Sequence, residues 1–179
     1  MSKNQNSLLT EAVKYGAIFA IVSFVIQLVL WAVDYTYLVS GAYNVLLILC
    51  AIGAFIWAGL HYRKSIGGYL SYGNAYKFLI VSTVAFFIIG ILLSWIMYNV
   101  VDPELPAMLQ EVQIEQTIDF LESMNADDAI IDQSISDMEK QDLSDILLLL
   151  QSAAIMIVVF AVLHLLFALI VKKSRPEFE

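Results

Sequence analysis

Long runs of apolar residues, broken by short polar segments, dominate this chain. Four of the runs contain no Asp, Glu, Lys or Arg, and they approach or exceed the length of about 20 residues with which a helix crosses a bilayer core. The first run is longer than the core of a signal peptide and no A-x-A-like cleavage site follows it, so we expect it to remain as a helix. The pattern predicts four transmembrane helices, near residues 12–33, 42–61, 72–99 and 146–171.

A transmembrane β-barrel is the other architecture that satisfies every backbone polar group in lipid. Its strands would alternate polar and apolar residues, whereas runs such as Phe86-Phe87-Ile88-Ile89 are continuously apolar. Hydrophobic residues make up 60% of the chain, against roughly 45–50% in an ordinary soluble protein. The predicted fold class is therefore an all-α membrane protein, with residues 1–179 forming a single membrane domain.

The positions of the basic residues predict the orientation. Eight of the nine Lys and Arg residues lie near the N-terminus, around the loop between the second and third predicted helices, or after the fourth helix. Lys140 is the exception, because it lies between the third and fourth helices. Cytoplasmic loops are enriched in Lys and Arg. We therefore expect a multi-pass protein of the bacterial cytoplasmic (inner) membrane, with both termini in the cytoplasm.

The segment between the third and fourth helices, residues 100–145, carries the acidity of the protein. It holds thirteen acidic residues and one base, a net charge of −12 (1 minus 13), whereas the whole chain carries −8. The start signal Asp102-Pro103-Glu104 and the apolar spacing after it predict amphipathic helices, with a break near Asn125. We expect this extracytoplasmic insert to pack its apolar faces together or against a protein partner, since its charge disfavours anionic lipid.

Few polar groups lie within the predicted spans. His164 is the one ionisable side chain deep in an apolar segment, and it shares a helical face with Ala161 and Ala168, so we expect it to point into the bundle. A histidine can act as a proton-sensitive switch near neutral pH. One polar residue does not make a proton pathway. A neutral imidazole bonded to a neighbouring helix is therefore the favoured interpretation.

The sequence lacks the motifs of catalysis and of metal binding. It has no Ser/His/Asp set, no Cys/His pair, no phosphate-binding Gly-Lys-Ser motif and no D-x-[DN]-x-[DN]-G calcium loop. Its single cysteine, Cys50, rules out a disulfide framework within the chain. We therefore expect no enzymatic activity, no cofactor, no metal ion and no nucleic-acid partner.

The loop between the second and third helices is the main candidate site. It combines three basic residues, three glycines and two hydrogen-bonding side chains: Arg63, Lys64, Lys77, Gly67, Gly68, Gly73, Ser71 and Asn74. The start of the third helix adds unpaired N–H groups and a positive dipole end. Together these features suit the phosphate of an anionic lipid at headgroup depth. The alternative is an ordinary basic cytoplasmic loop with glycine turns.

The stretch Ile66-Gly67-Gly68-Tyr69-Leu70-Ser71-Tyr72-Gly73-Asn74-Ala75-Tyr76-Lys77 resembles the entry to helix three in the uncharacterised bacterial family of the domain of unknown function 4199. Asn99 followed by Asp102-Pro103-Glu104, the acidic loop and the basic end are also similar. The resemblance spans nearly the whole chain and implies a small four-helix membrane protein. Tyr72 and Tyr76 stand where phenylalanine is more usual. The family has no established activity, and its members look as if they are often encoded beside polyprenyl-phosphate glycosyltransferases.

Three functions are compatible with the sequence. The favoured one is a non-enzymatic interaction or scaffold protein that works through a membrane-protein partner or self-association, because the acidic insert has unpartnered apolar faces. The alternative is a lipid-handling accessory subunit, for example to a polyprenyl-phosphate glycosyltransferase, which the basic loop supports. An oligomeric transporter or channel has the least support, since the spans offer almost no polar pathway.

Overall fold

The computed structural model describes residues 3–175, with side chains from residue 7 onward. Its six α-helices are α1 (Lys3–Val33), α2 (Gly41–Ser65), α3 (Tyr72–Ile96), α4 (Leu105–Ser123), α5 (Asp128–Glu139) and α6 (Ile146–Val171). A 3-10 turn, Tyr35–Val39, joins α1 to α2, and a π-helical turn, Met97–Val101, extends α3. Four of the helices are long and apolar enough to cross a membrane, which confirms the four predicted spans. We call the end where α1 begins and α6 finishes the terminal end, and the end that carries α4 and α5 the cap end.

Helix α3 lies at the centre and packs along both α1 and α6. On α1, Ala12, Gly16 and Ala20 are buried and recur every four residues, so they share one face. A Cβ atom added at Gly16 would collide with the carbonyl oxygen of Ser82 and would lie 2.8 Å from the Cβ of Ala85. Because helices in lipid associate through close packing of this kind, Gly16 sets the distance between α1 and α3.

Helix α2 joins the bundle only through its terminal half. Its buried residues are Phe55, Ala58, Gly59 and Tyr62, and none of residues 41–54 is buried. Cys50 is exposed, whereas Ala58, further along the same helix, is fully buried. At the cap end α2 therefore stands away from its neighbours and leaves a cleft beside α1.

Aromatic rings fill the middle of the bundle around Phe55, which is 1% exposed. Its ring centroid lies 5.7 Å from Phe19 of α1, 5.9 Å from Phe86 of α3 and 6.0 Å from Phe160 of α6, each in an edge-to-face arrangement. Such pairs contribute about 0.5–1.5 kcal/mol beyond area burial. Phe55 thus contacts all three other spans from α2.

The acidic segment forms two helices, as predicted, but its apolar face packs where it was not expected. Leu105 and Leu109 of α4 are buried against Met97 and the cap ends of α1 and α3, whereas α5 has no buried residue. The link from α3 to α4 is so short that α4 folds back over the spans. The turn near Asn125 is confirmed, with Asn125 at a positive φ of 53°.

Asp102 holds this fold-back in place. Its Oδ2 accepts a hydrogen bond from the indole N–H of Trp31 at 2.9 Å, and its Oδ1 accepts one from the backbone N–H of Leu105 at 3.2 Å. The helix begins at Leu105 with Glu104 as its N-cap, two residues later than the expected N-cap at Asp102. One carboxylate therefore ties the end of α1 to the first turn of α4.

We expect Asp102→Ala to lower the free energy of unfolding by about 1 kcal/mol, because it removes a helix-terminal acceptor and leaves the Trp31 N–H unpaired. Hydrogen–deuterium exchange in detergent should show faster exchange over residues 105–123. Asp119→Ala is the control. Asp119 is an exposed residue of α4, and its substitution removes the same charge from the acidic segment. Equal exchange in the two variants would contradict the assignment of Asp102 as the tie.

Candidate functional site

A pocket of about 770 Å³ opens at the terminal end, and we call it the terminal pocket. It is lined by residues from α1, the end of α2, the 2–3 loop, the start of α3 and the segment after α6: Ser7, Leu8, Tyr62, Ile66, Tyr69, Leu70, Ser71, Asn74, Lys173, Ser174 and Arg175. No acidic side chain between residues 7 and 175 is in this lining. The pocket lies within the size range of small-molecule sites.

Two glycines shape the loop wall of the pocket. Gly67 and Gly68 have φ values of +96° and +86°, which side-chain-bearing residues rarely adopt. The Gly68 N–H donates to the carbonyl of Arg63 at 2.8 Å and so closes the end of α2. The glycines therefore reverse the chain after α2 and direct the loop back across the terminal end.

The segment after α6 forms the opposite wall. Leu70 and Lys173 pair through two backbone hydrogen bonds, of 2.9 Å from the Leu70 N–H and 2.8 Å from the Lys173 N–H. One Arg63 guanidinium nitrogen donates to the carbonyl of Val171 at 2.8 Å, so Arg63 caps the last turn of α6. These contacts hold the end of α6 against the 2–3 loop.

The positive charge of the pocket comes from Lys173 and Arg175. The Lys173 ammonium nitrogen lies 5.6 Å from the ring centroid of Tyr69, and the Arg175 guanidinium carbon lies 6.0 Å from it. Neither side chain forms an ion pair within residues 7–175. Ser71 precedes the first turn of α3, and its side chain does not cap that turn, so the first N–H groups of α3 remain available beside the two cations.

The structure brings only part of the predicted anionic-lipid site together. Ser71 and Asn74 line the terminal pocket, and Gly67 and Gly68 shape it. Three other predicted residues, Lys64, Gly73 and Lys77, are exposed and lie outside the lining. Arg63 is engaged at the end of α6 and is also outside the lining.

Lys173 and Arg175 are the site residues that sequence reasoning missed. Their signal was present, as the basic run after α6, but it was used only to predict orientation. Neither hydropathy nor spacing indicates that this run pairs with Leu70, from which two spans separate it along the chain. The pairing is a tertiary contact.

His164 lies inside the bundle, fully buried, and its Nε2 is 2.7 Å from the hydroxyl oxygen of Thr83 on α3. The rings of Phe55, Phe160 and Phe167 surround it at centroid distances of 5.7–5.8 Å. Its Nδ1 has no hydrogen-bond partner among the described residues. The structure therefore places His164 in an apolar setting with one neutral partner, which suits an uncharged structural histidine.

The chain belongs to the family described as protein of unknown function DUF4199, which matches residues 14–173. The matched region begins at residue 14, within α1, and finishes at Lys173, so it contains three whole spans, most of the first span, α4 and α5, and most of the terminal-pocket lining. No curated protein and no solved structure matches the chain. The family resemblance that the 2–3 loop indicated is thus confirmed. The family is one of unknown function, so the match supports the fold and gives no activity.

Proposed function

We propose that this protein is a non-enzymatic component of the cytoplasmic membrane that binds the phosphate of an anionic lipid in the terminal pocket. In this proposal the terminal end faces the cytoplasm, as the eight basic residues on that side favour. The main support is that Lys173, Arg175 and the start of α3 line one polar pocket. The protein would act as a lipid-handling accessory to another membrane component.

The chemistry of the pocket supports a phosphate more than a neutral headgroup. Arg175 can offer two parallel N–H donors to phosphate oxygens and Lys173 a point charge. The first N–H groups of α3 and the Ser71 hydroxyl add neutral donors beside them. Among residues 7–175, no carboxylate in the lining competes with the ligand for these cations.

The test is native mass spectrometry of the delipidated full chain in neutral detergent, with phosphatidic acid and phosphatidylcholine of identical acyl chains. We expect phosphatidic acid to be retained preferentially. Lys173→Ala and Arg175→Ala together should weaken its retention about thirtyfold, because each basic residue near an anionic lipid contributes about 1 kcal/mol.

The matched control is Lys64→Ala with Lys77→Ala, which removes the same charge from the same end of the protein but outside the pocket. We expect this control to retain phosphatidic acid within about threefold of the parent protein. An equal loss in both double variants would show a diffuse charge effect and would contradict a pocket. Displacement of the lipid by inorganic phosphate at the same concentration would assign the pocket to a soluble phosphate instead.

The scaffold function predicted from the sequence has one observation in its favour. The turn between α4 and α5 exposes Phe120, Met124 and Ile130, each more than half accessible, among acidic side chains. Exposed apolar groups of this size, rimmed by charge, are typical of contact surfaces. This second candidate would use the cap end, whereas the lipid proposal uses the terminal end.

A further inference from the structure

The cleft beside α2 leads into a chamber in the cap-end half of the bundle. Three cavities, of about 230, 260 and 190 Å³, adjoin there, and Leu47 of α2 lines all three. The chamber lies between α1, α2, α3 and α6, and Leu105 and Leu109 of α4 close its cap end. It is separate from the terminal pocket, with which it shares no lining residue.

The mouth of the chamber opens sideways between α1 and α2. Val22 and Ile26 of α1 face Leu46 and Cys50 of α2 across it, with Phe86 at the back. These residues lie within two of the apolar spans, Ser7–Val33 and Gly41–Ser65. Because the hydrocarbon core of a bilayer holds no water, the occupant of an apolar cleft at this depth is a lipid chain.

Polar groups gather at the inner end of the chamber. Gln27, Ser94 and Ser152, from three different spans, line both of the larger cavities. Among residues 7–175, none of these three side chains has a hydrogen-bond partner; Gln27 and Ser94 are half-buried and Ser152 is exposed. The hydroxyl of Tyr43, at the junction with the mouth, is buried and also has none. Unpaired donors and acceptors are costly in an apolar medium, so a polar group of a ligand would relieve that cost.

The chamber also excludes charge. Its lining contains amide, hydroxyl and aromatic groups but no acidic or basic side chain. A charged headgroup drawn into it would lose its hydration without a counter-ion. A neutral head that both donates and accepts hydrogen bonds fits all four orphan groups, whereas a bare hydrocarbon chain would satisfy none of them.

We propose that this chamber is a binding site for a neutral single-chain lipid with a hydroxyl-bearing head, of the monoacylglycerol class. The chain enters through the cleft between α1 and α2, and the head bonds Gln27, Ser94, Ser152 and the Tyr43 hydroxyl. The site differs from the terminal pocket in ligand charge and in the end of the protein that it occupies. Failure of either proposal leaves the other standing.

The test is photolabelling of the full chain in phosphatidylcholine nanodiscs with a monoacylglycerol that carries a diazirine on its acyl chain. The comparison probe is lysophosphatidic acid with the same diazirine chain. We expect labels on peptides that contain residues 22–27 and 43–54, with labelling by the phosphate probe about fivefold weaker. Gln27→Leu combined with Ser152→Ala should bring the two probes to equal labelling.

Two glycines provide a matched pair of variants. A Cβ at Gly90, which lines the chamber, or at Gly53, which does not, would meet no atom within 4 Å, so both positions have open space for the first side-chain atom. Gly90→Leu places leucine in the chamber and should reduce monoacylglycerol labelling about fivefold, whereas Gly53→Leu should leave it within about twofold.

Three results would overturn the proposal. Equal labelling of the parent protein and Gly90→Leu would mean that the probe marks only lipid around the protein. Equal labelling of the parent protein by the two probes would contradict a preference for a neutral headgroup. If the Gln27 and Ser152 substitutions left the preference for monoacylglycerol over lysophosphatidic acid unchanged, the proposed polar contacts of the headgroup would be contradicted.

Discussion

Gly16→Ala is expected to lower the free energy of unfolding by about 2 kcal/mol, although the change adds a single methyl group. The new Cβ would meet the Ser82 carbonyl oxygen and would lie 2.8 Å from the Ala85 Cβ and 3.0 Å from the Phe86 backbone nitrogen. These are backbone or Cβ atoms, which cannot rotate away. The clash is relieved only when α1 moves off α3, and this movement opens the longest helix contact in the bundle.

The measurement is unfolding in mixed detergent micelles with increasing sodium dodecyl sulfate, followed by circular dichroism. Gly53→Ala is the matched control, because it makes the same change in a helix interior where a Cβ meets nothing within 4 Å. We expect the control to equal or exceed the parent protein in stability, since alanine favours helix more than glycine does. Similar midpoints for the two variants would contradict the close approach of α1 to α3.

Phe55→Ala should lower the free energy of unfolding by about 3 kcal/mol, the lower end of the range for large-to-small changes in soluble cores. The lower end is appropriate because the unfolded helices remain in lipid, where the ring is as well solvated as in the core. What remains is the cavity and the loss of edge-to-face contacts with Phe19, Phe86 and Phe160. Helix α2 should detach first, since Phe55 anchors it.

Leu49→Ala, in the same unfolding assay, distinguishes loss of core packing from loss of apolar surface in contact with lipid. Leu49 is 60% exposed on α2, so its truncation removes apolar surface without leaving a cavity. We expect a change of under about 0.5 kcal/mol, as for surface positions generally. If Leu49→Ala cost as much as Phe55→Ala, the stability of α2 would come from contact with lipid and not from the aromatic cluster.

The spans could be predicted because the physics that sets them is local. A helix in lipid needs a charge-free length, and that length can be read directly from the sequence. The bounds shifted where a helix continues beyond the apolar run: α1 begins at Lys3 and not near residue 12, and α2 reaches Ser65 and not 61. In both cases polar residues extend the helix past the charge-free stretch.

The sites could be predicted only in part, because they depend on which helices are neighbours. Helical spacing correctly turned His164 into the bundle, but its partner, Thr83, depends on the register of α6 against α3. The predicted basic loop contributes Ser71 and Asn74 to the lining of the terminal pocket. It did not reveal that Arg63 is engaged at the end of α6, or that Lys173 and Arg175 supply the charge.

The tilt of α2 has no counterpart in the sequence pattern. Its cap-end half is as apolar as its terminal half, so hydropathy predicts uniform contact with the bundle. The difference arises from three-dimensional packing, since Phe55, Ala58 and Gly59 are buried against the bundle while none of residues 41–54 is buried. The chamber that results was therefore invisible to periodicity.

The backbone pairing of Leu70 with Lys173 also fixes an order of events during synthesis. The 2–3 loop is synthesised early, but the segment that completes the terminal pocket follows the last span. A nascent chain with three inserted helices has the glycine turn and the start of α3 without Lys173 and Arg175. The terminal pocket is thus complete only when α6 is in place, so its assembly depends on the last span.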